Sequence, residues 1–183
     1  VVCLEASGRS SFLLRAKRVI LAMPVHVAAR IHDLSEYGFV RERDQPPHAA
    51  WMVSNFLLDG FPAEPPAQPP LAWDNVVYGS AGLGWVVASH QWLRLARPAQ
   101  TVFTAYHAFA GQVPTDTRAQ LLNATPEAFL DMASQDLRAA YGDDFERRIA
   151  QAEISLRGHA MAIPVPGFLS RPGIDALRQA DGP

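Results

Sequence analysis

Hydrophobic and polar positions along the chain fall into two regimes. Up to residue 109 apolar side chains come in short runs broken by Gly, Pro and polar turns, the pattern of strands. Beyond residue 114 they recur at helical spacing, until a last strand-like run. Residues 1–5 and 11–15 read as two short strands joined by Ala6-Ser7-Gly8-Arg9-Ser10. Val19-Ile20-Leu21-Ala22-Met23 is a continuous apolar run stopped by Pro24, which predicts a strand buried on both faces. Pro24 suits the first turn of a helix over residues 25–32, where its missing N–H costs nothing. Val25, Ala28, Ala29 and Ile31 give that helix an apolar side.

A turn with two prolines at 44–48 precedes a long strand over 49–59, containing Trp51, Val53, Phe56 and Leu58. Residues 60–70 carry Pro62, Pro65, Pro66, Pro69 and Pro70, and read as a surface loop of extended, polyproline-like geometry. Residues 75–78, 84–89 and 101–109 are three further strands. Their succession without intervening helices argues for antiparallel pairing. Residues 115–122 form a short polar helix. Thr125-Pro126-Glu127 then supplies a hydroxyl N-cap, a proline at the first position and an acid in the first turn. Phe129, Ala133, Leu137 and Tyr141 follow at spacings of four along one helix face, and Gly142 ends it. Residues 152–157 are the last strand, followed by Gly158-His159-Ala160-Met161 and the proline-rich stretch to Phe168. The fold class is α+β: a mainly antiparallel or mixed sheet flanked by helices.

Composition narrows the class of function. With 49% hydrophobic and 19% charged residues in 183, the chain belongs with ordinary globular proteins. A formal charge of −2 gives no electrostatic pull towards nucleic acid or an anionic membrane, and no nucleic-acid partner is expected. The apolar runs are too short for a transmembrane helix, and no signal peptide is present. Cys3 is the single cysteine, so nothing requires an oxidising compartment, and a cytoplasmic location is expected.

No catalytic set stands out from spacing alone. The six histidines, at 26, 32, 48, 90, 107 and 159, form no pattern of a zinc site, so no metal is expected. Gly79-Ser80-Ala81-Gly82-Leu83-Gly84 fits neither phosphate-cradling pattern and reads as a turn between strands. Ser80 lacks the glycine pattern of a nucleophile elbow, and Cys3, in an apolar strand, reads as an inert buried thiol. Trp51, Phe56, Trp73, Tyr78, Trp85 and Trp92 cluster in the strand-rich half. They are either core or the wall of a cavity for an apolar ligand or a flat cofactor ring. His90 and His159, each at the end of an apolar stretch, are either hydrogen-bonded structural residues or groups that orient a substrate.

Two short strands followed by Ala-Lys-Arg-Val-Ile-Leu-Ala-Met-Pro at residues 16–24 resemble the segment of flavin amine oxidases where the chain leaves the FAD domain for the substrate domain. Similar strands ending in Ala-x-Pro occur in phytoene desaturase-like and protoporphyrinogen oxidase-like relatives. The stretch Arg157-Gly158-His159-Ala160-Met161 through Gly167-Phe168 resembles the return towards the FAD domain. The resemblance implies an internal piece of an FAD-dependent oxidoreductase. Residues 1–24 would be strands of an incomplete FAD-binding domain, 25–157 a substrate-binding domain, and 158–183 the return segment. It implies FAD as cofactor, with Val2 and Cys3 along its adenine side and Ala22 and Pro24 close to it. It implies a small organic substrate against Trp51, Tyr78, Trp85, His90 and His159, and the remainder of the FAD-binding domain as partner. Neither the dinucleotide fingerprint nor the later FAD-contacting motif of the family is in the chain, so these residues alone are expected neither to hold FAD tightly nor to turn over substrate.

One departure bears on the reaction. Many amine-oxidising members carry a lysine on the long strand, near the flavin. Met52 stands there in this register, and 49–59 contains no lysine. Hydride removal by a flavin stays open, since the cofactor carries the hard chemistry. The alternative is a non-enzymatic ligand- or partner-binding domain with an aromatic-lined antiparallel sheet. A hydrolase has little support, because no nucleophile–base pair is suggested.

Overall fold

The structure, a computed structural model, describes residues 1–64, 66, 69–92 and 95–180. In chain order the strands and helices are β1 (Val2–Leu4), β2 (Ser11–Leu13), α1 (Val25–Ile31), α2 (Arg41–Asp44), β3 (His48–Asp59), β4 (Asp74–Asn75), β5 (Trp85–Val87) and β6 (Gln100–Ala108). Three helices follow, α3 (Pro114–Asn123), α4 (Pro126–Tyr141) and α5 (Asp143–Arg148), then β7 (Ile149–Ala162) and α6 (Pro172–Gln179). The fold is α+β with antiparallel sheets flanked by helices. It divides into two compact units: Val1–Gln45 with the residues from Pro166 onward, and Pro46–Val165. Pro65 of the proline loop and the closing Asp181-Gly182-Pro183 lie outside the described residues.

The larger unit is built on a five-stranded sheet of order β4-β5-β6-β3-β7, antiparallel at every junction. Period-two alternation on β3 buries Ala50, Met52, Ser54, Phe56 and Leu58 on one face and leaves Trp51, Val53, Asn55 and Leu57 half-buried on the other. Register carries the buried row across the sheet: Met52 stands between His107 and Leu156, Ser54 between Ala105 and Ile154, Phe56 between Phe103 and Ala152. Helices cover this face, bringing Leu121 from α3, Ala133 and Leu137 from α4, and Phe145 from α5. Phe145 meets Phe56 edge-on, with ring centroids 5.2 Å apart. Each fully buried side chain of this size contributes roughly 2 kcal/mol.

The terminal signals of α4 work as their residue types dictate. Thr125 Oγ1 accepts from the Ala128 amide at 3.3 Å, and the Gly142 amide, at φ +55°, donates to the Arg138 carbonyl at 2.8 Å. Gly142 is not the end of the helical region, however. Helix α5 starts at once, with Asp143 and Asp144 in its first turn and Arg147 and Arg148 in its last, signs that suit its dipole.

Strand β7 is longer than residues 152–157 at both ends, because it pairs along almost the whole of β3, with register shifts that absorb its extra residues. The Arg118 guanidinium from α3 straps the far end of the pair, donating to the carbonyls of His48 and Gly158 at 3.2 and 3.4 Å. The strand expected over 75–78 contracts to Asp74–Asn75. Tyr78 lies in a turn that leads to Gly84, whose left-handed φ of +85° precedes β5.

In the smaller unit, β1 and β2 pair as an antiparallel hairpin with Val2 opposite Leu13 and Cys3 opposite Phe12. Ala28, Leu34 and Phe39 form a small core that Leu21, Met23, Ile174 and Leu177 close. The expected strand over residues 19–23 does not form. A strand buried on both faces needs neighbours on each edge, and among the described residues none pairs with it. Leu21 and Met23 turn into the small core, while Val19 and Ile20 stay 56% and 88% exposed. Pro24 sits just before α1 instead of within its first turn. The buried residues of α1 are His26 and Ala28, and Val25 and Ile31 point outward. Helix α6 had no forecast in the sequence. It is held to α2 through fully buried Asp44, which accepts from the Gly173 amide of α6 as well as from the Val40 amide at 2.8 Å and the Arg43 guanidinium at 2.7 and 2.9 Å. Gly173 of α6 packs so tightly against Asp44 that a Cβ would overlap the carboxylate.

Candidate functional site

Sequence reasoning named nine site residues. Val2 and Cys3 lie on β1, Val2 well exposed and Cys3 a half-buried free thiol. Ala22 and Pro24 are exposed in the segment before α1. All four belong to the smaller unit, and the five others belong to the larger one. Those five do not converge on one cavity. Trp51 sits on the half-open face of β3, and Trp85 on the helix-covered side of β5. Tyr78 is fully exposed in its turn. His159 is exposed on β7. His90 lies in the short helical turn after β5, beside Phe61 and Trp92 at a shallow cavity of about 310 Å³.

The half-open face is mixed in character. Trp51 stands between Ala108 and Arg157, and Val53 between Tyr106 and Ser155. Asn55 accepts a hydrogen bond from the Thr104 hydroxyl at 2.7 Å. The Trp51 indole nitrogen is shielded from solvent, with no hydrogen-bond partner among the described residues. Met52 points to the opposite side and is 1% exposed in the helix-packed core.

A deeper cavity, of about 390 Å³, lies on the helix-covered side, at the β4–β5 edge of the sheet and the last turn of α4. Its floor is aromatic: buried Trp85 and half-buried Tyr141 meet nearly perpendicular, with centroids 5.7 Å apart. The Tyr141 oxygen lies beside the Trp85 indole N–H, though outside ordinary hydrogen-bond geometry. Burial, with the negative charge of Glu64 added, pushes the Tyr141 phenol up to about 12, so it keeps its proton at neutral pH. Glu64 stands at the mouth. It accepts from the Arg97 guanidinium at 2.6 Å and from the Leu71 amide at 3.2 Å, bonds that hold its carboxyl below the usual range. Arg97 also lies over the Phe61 ring, 5.1 Å from its centroid. Asn75 shapes the β4 wall by exchanging two hydrogen bonds with the backbone of Ala72, at 3.0 and 2.9 Å.

A second polar cluster lies under the sheet. Buried Asp136 on α4 accepts from the Ser80 hydroxyl and from the Gly84 amide, the latter at 3.2 Å, so the glycine run is pinned to the helix. Ser54, His107 and Asp136 line the same small void, of about 10 Å³, which is barely the size of one water. Burial lowers the basicity of His107, partly offset by the negative charge of Asp136. A serine sealed at 1% exposure beside so small a void cannot meet a substrate.

Sequence reasoning missed Glu64 and Asp136. Glu64 is hidden in a proline-rich loop with no periodic signal. Asp136, on a helix otherwise read for its apolar face, shows only in three dimensions as the counterpart of the glycine run. Among the described residues no group of three or more His, Cys, Asp or Glu could hold a metal ion, and no helix is long and apolar enough to cross a membrane. No protein-family model matches this chain, and no curated protein sequence matches it.

Proposed function

We propose that this chain is part of an FAD-dependent oxidoreductase of the flavin amine oxidase type, and that its larger unit forms one wall of the substrate site. The observation that carries the reading is an antiparallel sheet that, among the described residues, is packed by helices on one face, while its other face carries half-buried Trp51. The segment over residues 16–24 and the exposed apolar side chains of Val2, Leu4, Val19 and Ile20 support it as surface that a larger FAD domain would cover.

In this reading Val2, Cys3, Ala22 and Pro24 would line the cofactor with backbone and small apolar groups. No phosphate cradle goes with them among the described residues. The glycine run leads into a strand and is backed by the Asp136 carboxylate, which opposes an anion. The cofactor's phosphates would therefore be held by other segments. Flavin supplies hydride acceptance, and the part of these residues is to shape the substrate and exclude water. With Met52 buried on the helix side, no side chain of β3 offers a lysine to the half-open face.

The test is to express the natural polypeptide that contains these residues and record its visible spectrum. Bound flavin is expected. A colourless protein that releases no flavin on denaturation overturns the proposal. The aromatic cleft under β5 favours a second reading, a non-enzymatic ligand-binding domain, and the same colourless result would favour it.

A further inference from the structure

We infer that the cleft floored by Trp85 and Tyr141 is a binding site for a flat aromatic cation, separate from the half-open face of the sheet. This does not rest on the flavin reading. Shape comes first. A volume of about 390 Å³ suits a ring system of one or two fused rings, and the near-perpendicular Trp85 and Tyr141 rings both line it.

Charge selects the sign. Glu64, ion-paired with Arg97 at the mouth, and Asp74 line the cleft, and among the described residues no lysine, arginine or histidine lines it. Glu64 stays ionised because Arg97 and the Leu71 amide hold it so, while Asp74, at the start of β4, is exposed. Ala140 and Tyr141 belong to the last turn of α4, a 16-residue helix whose carbonyl end carries partial negative charge. Tyr141 keeps its proton, so it adds a dipole and a π face rather than a competing charge. Aromatic faces, two carboxylates and a helix C-terminus all favour a cation over an anion.

The experiment uses the 183-residue chain and three bicyclic probes of one shape: N-methylquinolinium, neutral quinoline at mildly alkaline pH, and naphthalene-2-sulfonate. Binding is followed by calorimetry and by the indole N–H signals in NMR spectra. N-methylquinolinium is expected to bind and to move the Trp85 signal, quinoline to bind roughly tenfold more weakly, and the sulfonate not to bind. Asp74→Asn and Glu64→Gln are each expected to weaken the cation severalfold and leave quinoline unchanged. The Asp74 side chain makes no hydrogen bond among the described residues, so its variant stays informative if the Glu64 variant is unstable. Equal binding of cation and anion, no binding of the cation, or cation binding that moves other indole signals and ignores both charge variants overturns the inference.

Discussion

Gly82 lies against the Asp136 carboxylate with no room for a Cβ between them. Its amide donates to Ser80 Oγ at 3.0 Å, and the Ser80 hydroxyl donates in turn to Asp136. The short glycine run is therefore a fitted cover over a buried charge, with the Gly84 amide as its second hydrogen bond to that charge. Gly82→Ala is expected to lower stability by about 1–3 kcal/mol through overpacking against a carboxylate that cannot retreat. Thermal unfolding of the variant checks it. Gly79→Ala, where a Cβ meets nothing within 4 Å, is the contrast: only its left-handed φ of +77° costs, about 1 kcal/mol.

His107 gives the larger unit a pH dependence whose sign is set by burial. Its folded pKa lies below the ordinary imidazole value, so the unfolded chain binds the proton more readily. Stability is full above about pH 7 and falls as pH drops through about 6.5 towards the lowered value. Asp136 partly offsets the burial, so Asp136→Asn should move the His107 titration lower still. His107→Gln should flatten the stability profile between about pH 7 and 5. An NMR titration of the ring and melting curves across that range measure both.

How far the sequence foretold the fold differs between the units, and the reason is pairing. In the larger unit Met52, Phe56 and Leu58 alternate with Trp51 and Leu57, and Thr125 and Gly142 bracket α4, so β3 and α4 carry their own signals. Helix α5 had no forecast, and the strand expected over 75–78 contracts to Asp74–Asn75. The β1–β2 hairpin was equally legible from its turn. Val19-Ile20-Leu21-Ala22-Met23 has the composition of a central strand, but composition cannot supply neighbours, and Leu21 and Met23 pack with helices instead. The cleft was half legible. Trp85 was visible as an aromatic and Tyr141 only as a position on an apolar helix face, and the fold alone brings Glu64 from the proline loop to stand beside the phenol.

Asp44 makes the smaller unit sensitive to acid. Hydrogen bonds from Arg43 and Val40 hold its carboxyl well below the ordinary range. The stability it contributes is present above the unfolded value of about 4 and is lost as pH falls below it. Asp44→Asn is expected to cost about 1–3 kcal/mol at neutral pH, since it removes the charge that Arg43 and the Val40 amide address. The variant and the parent should approach one another only as pH falls towards the lowered folded value, well below the ordinary carboxylate range. Hydrogen exchange of the α2 and α6 amides reports this unit separately from the sheet.

The exposed run before α1 makes a last prediction, which separates surface from core within five residues. Ile20 is 88% exposed and Met23 packs against the small core. Ile20→Ser removes no buried apolar area, so stability should stay within about 0.5 kcal/mol of the parent. Met23→Ser strips a partly buried side chain from a core of few residues and should cost about 1–2 kcal/mol. The flavin reading adds an asymmetry. In the longer natural polypeptide Ile20 would be covered, and Ile20→Ser would then cost as much as Met23→Ser. Melting both variants in the 183-residue chain and in the longer polypeptide measures it: an Ile20 variant that stays silent in both leaves this residue outside any covering domain, whereas a cost that emerges only in the longer chain locates the missing neighbours of that run.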